Sequence, residues 1–361
     1  MKNKINSLQL GSIVIMMNLA AFMGIVFYTL LHIASVDSYI SIILAGIIGI
    51  PLLLIILYIA NYEPDLSLNK KLEKLYGKVL GNIINIIIII MAVTMGISLM
   101  YNTTNFIVSQ FLSDTPLIII GITLSLIVIY TNIKGLETLT RTSLILFVLT
   151  CILIVITLIG LLPKFELNNL LPFLEFGLEK TFIGACDMVI LNFITIALIL
   201  VIPKNQIVDK KNYNKAITIF YIMSVIFLFI VVSVTIGNLG IHLASIYQYP
   251  EYMVLKHIEL FNFLDRIENI ATSQWIFASF ICLCFIVFFI SNSIKYNNSS
   301  KVLPTVITFS ILFLALKLFN NNTAFNNYIY HTVPKLRILL CSILILITIT
   351  IFIKKKFSKN K

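Results

Sequence analysis

The chain is built largely of long, uninterrupted apolar runs separated by short polar segments. The runs are about 18–28 residues long and lack the alternation of apolar and polar residues that is typical of a membrane β-barrel. Runs of this length fit membrane-spanning α-helices, in which each backbone polar group is hydrogen-bonded within its own segment. Only 11% of the residues are charged, whereas a soluble domain has about a quarter. The sequence therefore predicts an all-α integral membrane protein.

The apolar runs predict ten transmembrane helices, of which the ninth and tenth are short. The expected spans are Leu8–Leu31, Tyr39–Ala60, Val79–Tyr101, Pro116–Ile133, Thr142–Leu162, Thr181–Ile202, Ala216–Ile236, Ile267–Ile294, Val302–Phe319 and Leu336–Ile353. We expect a single transmembrane domain over residues 1–361, followed within its last residues, 354–361, by a basic cytoplasmic tail that lies against anionic lipid headgroups.

The positions of the basic residues predict the orientation of the chain. Most of the 26 Lys and Arg residues follow even-numbered spans or lie at the termini, and positive charge collects on the cytoplasmic side of membrane proteins. Both termini are therefore expected in the cytoplasm, which requires an even number of spans. The net charge of +11 follows from this topology and does not indicate binding to nucleic acid.

Ten spans can form two halves of five, about residues 8–162 and 181–353. Because each half has an odd number of spans, the second half enters the membrane from the opposite side, as in an inverted repeat. Such repeats place their ligand near the membrane midplane, where the first helix of each half is interrupted. A small, polar stretch from Asn18 to Gly24 predicts the interruption in span one, and Gly184–Asp187 predicts its counterpart in span six.

Asp187 is the one acidic residue that falls well inside an expected span. A carboxylate at that depth costs about 2.5–3.5 kcal/mol on insertion scales, and such residues usually face protein or a water-filled cavity. One interpretation makes Asp187 the centre of a ligand or ion site. The other is a structural carboxyl that is bonded to a neighbouring helix.

Nine residues in the expected spans are candidates for binding a small ligand. A zwitterionic ligand needs donors for its carboxylate, acceptors for its ammonium group and small residues that let it approach the backbone. The same small and polar residues also serve close packing between membrane helices, and that alternative stays open. The candidates are Asn18, Ala21, Gly24, Thr94, Gly184, Ala185, Asp187, Asn192 and Ser279.

No pattern in the chain predicts catalysis. The four histidines fall in loops or at span ends without the spacing of metal ligands. No phosphate-binding glycine loop and no nucleophile motif occurs. We therefore expect no catalytic residue, no metal centre and no cofactor.

Several local motifs resemble those of the B subunits of spore nutrient-germinant receptors. They occur in the same order as in that family and are spread over most of the chain. The matching segments are Gln9, Asp37, Leu44–Gly46, Leu112–Leu117, Gly135–Arg141, Asn169–Pro172 with Gly177, Tyr249–Pro250, Phe263–Glu268 and Trp275. The family usually has a proline late in the span-one interruption and often a glutamate after that of span six. This chain has Tyr28 or a neighbour at the first position and the sequence Leu191–Thr195 at the second.

The resemblance implies a ten-helix member of the amino acid–polyamine–organocation transporter superfamily. It further implies a protein of the inner membrane of spores that senses an amino acid or nucleoside. Its expected partners are an A-type membrane subunit and a C-type lipoprotein subunit.

Three hypotheses about function remain. The first is a nutrient sensor that passes a conformational change to its partner subunits. The second is an amino acid permease coupled to protons or sodium. The third is a structural subunit that assembles a complex and binds nothing itself.

Overall fold

The computed structural model describes residues 4–257, 267–294 and 301–359, and the described chain is helical apart from loops and one isolated parallel bridge between Ile5 and Ile207. Its α-helices are α1 Ser7–Ala21, α2 Phe27–Ala34, α3 Ser38–Asn61, α4 Leu68–Phe111, α5 Leu117–Lys134, α6 Leu136–Leu161, α7 Gly177–Leu191, α8 Tyr213–Ile246, α9 Pro250–Met253, α10 Ile267–Ser293, α11 Val302–Leu318, α12 Asn322–His331 and α13 Val333–Lys359. The motif residues Phe263–Arg266 lie outside the described residues, as does the side chain of Glu268.

Eight helical segments in the described ranges are long and apolar enough to cross a membrane, so the chain is an integral membrane protein. One of them, Ser7–Asn61, contains both of the first two expected spans, α1–α2 and α3. The ninth expected span corresponds to α11, an apolar helix of 17 residues. The number ten therefore stays a prediction.

The first helix lies at the centre of the molecule. α1 begins with a capping box, in which the Asn6 side chain accepts from the helix and the Gln9 side chain accepts from the Asn6 amide. It contacts α6, α8 and α10, and nearly all of its residues are buried. A helix that is apolar on all sides is expected in such an interior position.

The first helix is interrupted where the sequence predicts it, at Gly24. α1 runs through Asn18 to Ala21, and a π-helical turn, Phe22–Val26, separates it from α2. Within this turn Met23 has an extended ψ of 129° and Gly24 a left-handed φ of 67°. Glycine adopts positive φ without the steric cost that a Cβ atom brings. We call Phe22–Val26 the first break.

The second interruption lies later than the sequence predicts, and the expected break at Gly184–Asp187 is wrong. α7 is a regular α-helix through both residues and ends at Leu191. Gly184 instead permits close packing: a Cβ atom there would lie 3.0 Å from the Leu30 side chain and 3.2 Å from that of Ala34. Since the glycine serves helix–helix packing, it does not weaken the backbone at this point.

After α7 the chain continues as a 3₁₀-helix of nine residues, Phe193–Val201, all of which are buried. Runs of 3₁₀-helix beyond three or four residues are uncommon and often mark a hinge or strained sequence. Asn192, at the junction, has φ of −109° and ψ of −65°. We call Asn192–Val201 the second break. It contacts α1, α3 and α10.

Candidate functional site

Side-chain amides hold the carbonyl groups that the first break releases. Asn102 of α4 donates from Nδ2 to the Met23 carbonyl at 3.1 Å, and Gln248 donates from Nε2 to the Gly24 carbonyl, also at 3.1 Å. Gln248 in turn exchanges hydrogen bonds with Asn326 of α12. Backbone groups that leave a membrane helix need such partners, because hydrocarbon offers none.

An aromatic cluster covers the first break on the side of Gly24. The ring of Tyr249 lies so close that a Cβ atom on Gly24 would be 2.6 Å from its Cε1. The Tyr249 ring packs against Phe106 and Trp275, with centroids 5.0 Å and 5.5 Å away. Asn105 fixes the Tyr249 hydroxyl by donating to it at 2.8 Å. The break is thus shaped by bulky groups from α4, α10 and the loop before α9.

A buried polar network joins α1 and the second break to α8. Asn18 donates from Nδ2 to the Ser224 hydroxyl at 2.8 Å, and Thr195 donates to Asn18 Oδ1 at 3.3 Å. All three side chains are buried. Asn18 therefore has both ends of its amide occupied by protein partners, which matches the packing interpretation of this candidate.

A cavity lies between the first break and the second. Its volume open to water-sized spheres is about 30 Å³, which is room for about two water molecules. An amino acid enters it only if the lining side chains move apart. The lining is Met17, Ala21, Ile25, Met95, Ser98, Leu99, Leu191, Thr195, Leu198, Cys282, Ile286, Ile329, Val333 and Arg337. We call this space the central cavity.

Arg337 is the charged group of the central cavity. It is 6% exposed, and its Nε and Nη1 atoms have no hydrogen-bond partner in the described ranges. Its neighbours are the thiols of Cys282 and Cys341 and the phenol of Tyr328, with no described carboxylate paired to it. A buried guanidinium without a counter-charge is costly, so a carboxylate or similar anion would be bound strongly at this point.

Sequence reasoning missed Arg337 because it was counted among the charges at a membrane face. It is the second residue of the expected tenth span, Leu336–Ile353. The helix itself, α13, begins three residues earlier, at Val333. Arginine inside an apolar run is itself a signal of a functional site. Moving the span boundary by three residues would have revealed it.

Of the nine candidates, Ala21 lines the central cavity, and Gly24 and Asn192 lie at the breaks. Asn192 is fully buried, and neither atom of its side-chain amide has a partner in the described part of the chain. Asn192 does not itself line the central cavity, whereas its neighbour Leu191 does. Ala185 is buried within α7 and does not line the cavity.

Asp187 does not line the central cavity. Its side chain is half-buried on α7, close to the Tyr330 phenol of α12, and Tyr330 in turn packs against Tyr28 of α2. Asp187 thus lies outside the lining of the cavity that contains Arg337, near residues that are themselves only partly buried. Its role in binding stays a prediction.

Thr94 and Ser279 also lie outside the lining of the central cavity. Thr94 donates to the Met91 carbonyl one turn earlier, at 2.7 Å. Ser279 is fully buried on α10 with no partner for its hydroxyl among the described residues. The structure therefore places Ala21 with Arg337 in the lining of the central cavity and Gly24 and Asn192 at the two breaks. Thr94, Ser279, Gly184, Ala185 and Asp187 lie outside that lining.

The fold is similar to that of a solved transporter. The structure aligns with a Na⁺-coupled sialic acid symporter, described in a substrate-bound outward-open state, with a TM-score of 0.63 at 15% sequence identity. The alignment covers 94% of this chain and 79% of the symporter. At this identity the likeness shows the fold, which is that of a membrane transporter.

Sequence comparisons point to spore germination proteins. The chain is 21% identical to spore germination protein XB of Bacillus anthracis over 257 residues, 70% of each chain. It is 31% identical to the putative spore germination protein YfkT of Bacillus subtilis (strain 168) over 175 residues, 48% of this chain and 46% of the relative. A family model described as spore germination protein matches residues 4–326. The chain, which has a transporter-like fold and no enzymatic role, belongs to the spore germination permease family.

Proposed function

We propose that this protein is the membrane subunit of a spore germinant receptor and that it binds a small nutrient with a carboxylate group in the central cavity. The observation that carries the proposal is the buried, unpaired guanidinium of Arg337 between the two breaks. An amino acid meets this requirement better than a nucleoside, which has no carboxylate.

The central cavity offers complementary groups for the rest of an amino acid. The Arg337 guanidinium can form paired, charge-assisted hydrogen bonds with the ligand carboxylate. The Asn192 amide opens the second break and follows the lining residue Leu191. Its oxygen, which has no partner in the described part of the chain, would accept from the ammonium group once the cavity widens. Met17, Leu99 and Ile286 are apolar and would select the ligand's side chain.

Ligand binding would act on the two breaks directly, because residues of both line the central cavity. The ligand shifts the receptor between two arrangements only if it binds one of them more tightly. Widening of the cavity around the ligand supplies that difference, since the present arrangement is too small for an amino acid. Repositioned breaks would then pass the signal to the partner subunits.

The proposed architecture is the ten-span, five-plus-five inverted repeat, with both termini in the cytoplasm. It is supported by the interruptions in the first and sixth helical segments and by the basic segments expected on one side of the membrane. The proposed partners are the A-type membrane subunit and the C-type lipoprotein subunit, and the proposed location is the inner membrane of the spore. The relationship to spore germination protein XB supports this setting.

The test is germination of spores that carry Arg337→Gln, measured over a range of amino acid concentrations. Losing a hydrogen bond to a charged group costs about 1.5–3 kcal/mol, so the concentration for half-maximal response should rise about 10- to 100-fold. The half-maximal concentration for Arg337→Lys should lie between those of the wild type and Arg337→Gln, because lysine keeps the charge without the paired donors.

Arg141→Gln is the matched control. Arg141 is exposed and pairs only with Glu137 one turn away, an arrangement of little energetic value. Its spores should respond like the wild type. The proposal is contradicted if Arg337→Gln spores contain normal amounts of the protein and keep the wild-type response.

A permease would use the same two breaks, since interrupted helices around a midplane cavity are also the apparatus of alternating access. Counterflow of labelled amino acid into proteoliposomes that contain this chain alone would favour the permease over the sensor. Binding without counterflow would favour the sensor. A structural subunit that binds nothing itself would show neither binding nor counterflow.

A further inference from the structure

Glu251 is a second buried charge, and the function proposed above does not use it. It lies on α9, the short helix that follows Tyr249, and is 3% exposed. Neither carboxylate oxygen has a hydrogen bond of good geometry with any described residue. The carboxylate faces the backbone amide of Gly24, which is the positive end of the first break.

The Glu251 carboxylate opens into a cavity of its own, with a volume open to water-sized spheres of about 40 Å³. We call it the outer cavity. Its lining comes from the first break, α6, α8, α10 and the loop around α9. That volume holds about three water molecules, or one small ion with part of its hydration shell.

The other polar groups of the outer cavity present oxygen lone pairs. The hydroxyls of Thr157 and Thr235 donate to carbonyls of their own helices, at 2.8 Å and 2.7 Å, and so can only accept from the cavity. Gln274 lines the same cavity, and its Oε1 has no partner in the described chain. A carboxylate and oxygen acceptors that line one cavity are the kind of ligand set that hard cations prefer.

No basic side chain described in the structure lines the outer cavity. The first break, α6, α8 and α10 contribute no titratable or charged residue to its described lining. On the loop that carries Glu251, the nearest titratable groups are the Tyr249 and Tyr252 phenols and Lys256. Lys256 is exposed, with its ammonium over the Tyr252 ring at 4.9 Å.

We propose that the outer cavity is a site for one monovalent cation, either an alkali ion or a proton, held by Glu251 against the first break. One positive charge neutralises the carboxylate and satisfies the acceptors that surround it. Burial raises the pKa of Glu251 to about 8, although the backbone amides of Glu251 and Gly24 oppose that rise. A proton and an alkali ion would therefore compete for the site near neutral pH.

The outer cavity lies across the first break from the central cavity. Met23 lines the outer cavity, whereas Ala21 and Ile25, two residues before and after it, line the central one. A cation beside Met23 and Gly24 would therefore stabilise one geometry of the break and change the affinity for a ligand on its other side. The cation site itself does not depend on what the central cavity binds.

The experiment measures thermal unfolding of the purified full-length protein in sodium, potassium or choline chloride, at about pH 6 and about pH 9, on either side of the carboxyl pKa. A carboxyl with a raised pKa binds more protons when folded than when unfolded. In choline chloride, the stability of the protein should therefore fall as the pH rises from the ordinary glutamate pKa of 4.5 to the raised pKa of about 8. At about pH 9, sodium or potassium should restore part of it by binding the folded state.

Glu251→Gln should remove both the cation effect at high pH and the loss of stability between low and high pH. The matched control is Glu179→Gln, which neutralises an exposed carboxylate at the start of α7 and should keep both. Thr235→Val preserves side-chain shape and removes one oxygen. It should weaken the alkali effect several-fold while leaving the proton effect, and it serves as the test if Glu251→Gln does not fold.

The arms of the experiment separate the two occupants. A pH effect that depends on Glu251, without any response to sodium or potassium, identifies the proton. A response to one alkali ion that is lost in Glu251→Gln and weakened in Thr235→Val identifies that ion. The proposal is overturned if Glu251→Gln keeps the wild-type response to both pH and alkali ions.

Discussion

At the scale of single residues, the two breaks depend on groups whose roles the sequence indicates only in part. Gly24 could be predicted, because glycine in an apolar run next to small residues is where a helix is weakest. Arg337 and Glu251 were not recognised as internal charges from their positions, since Arg337 lies at the edge of an expected span and Glu251 lies in the loop between the spans that end at Ile236 and begin at Ile267. Burial at such positions is set by neighbouring helices and loops, which the local sequence does not specify.

Replacing Gly24 by alanine should destabilise the protein and impair the nutrient response. Alanine at a left-handed φ costs about 1–2 kcal/mol, and here its Cβ would also collide with Tyr249. Gly177→Ala provides a matched control, because Gly177 has φ of 80° with nothing within 4 Å of the added Cβ. The midpoint of thermal unfolding should fall further in Gly24→Ala than in Gly177→Ala. Equal decreases would mean that contact with Tyr249 does not constrain the break.

Asp187→Asn tests the residue on which sequence reasoning placed the site. If Asp187 takes part in binding, the response to nutrient should weaken. Assembly should stay normal, because the half-buried carboxylate beside Tyr330 carries no described hydrogen bond that holds the fold. Germination assays and immunoblots of spore membranes measure the two effects. Disappearance of the protein from the membrane would instead identify a structural carboxyl.

At the scale of helices, the apolar runs predicted where helices form. The structure corrects the position of the second interruption, in the expected sixth span. Gly184 looked like a weak point but lies in a continuous α7, where its lack of a side chain admits Leu30 and Ala34. The change to 3₁₀-helix occurs at Asn192, inside a run whose sequence is otherwise strongly apolar. Whether a small residue breaks a helix or packs it is decided by the facing helix, so the sequence of one span does not distinguish them.

The network that ties α1 and the second break to α8 can be tested by a double-mutant cycle. Asn18→Ala and Ser224→Ala each remove one end of the 2.8 Å hydrogen bond. Their combined effect on the free energy of unfolding in detergent should be smaller than the sum of the single effects, by about 0.6 kcal/mol or more. Strict additivity would show that the bond does not couple the first segment to α8.

At the scale of the whole molecule, a broken helix from each half of the chain lies beside a small, enclosed cavity in a transporter-like fold. The fold class and the family followed from apolar run lengths and ordered local motifs, because both signals are local in sequence. The buried charges on either side of the first break did not follow, since Arg337 comes from α13 and Glu251 from α9. If both proposals hold, Arg337 on one side gives the break an anion-binding flank and Glu251 on the other gives it a cation-binding flank.

The central claim is that Arg337 selects a ligand carboxylate between the two breaks. The most direct measurement compares binding of an activating amino acid, and of the amine that lacks its carboxylate, to purified wild-type and Arg337→Gln protein. The wild type should prefer the amino acid by at least about tenfold, and Arg337→Gln should lose most of that preference while it still binds the amine. Equal preference for the amino acid in both proteins would contradict the account.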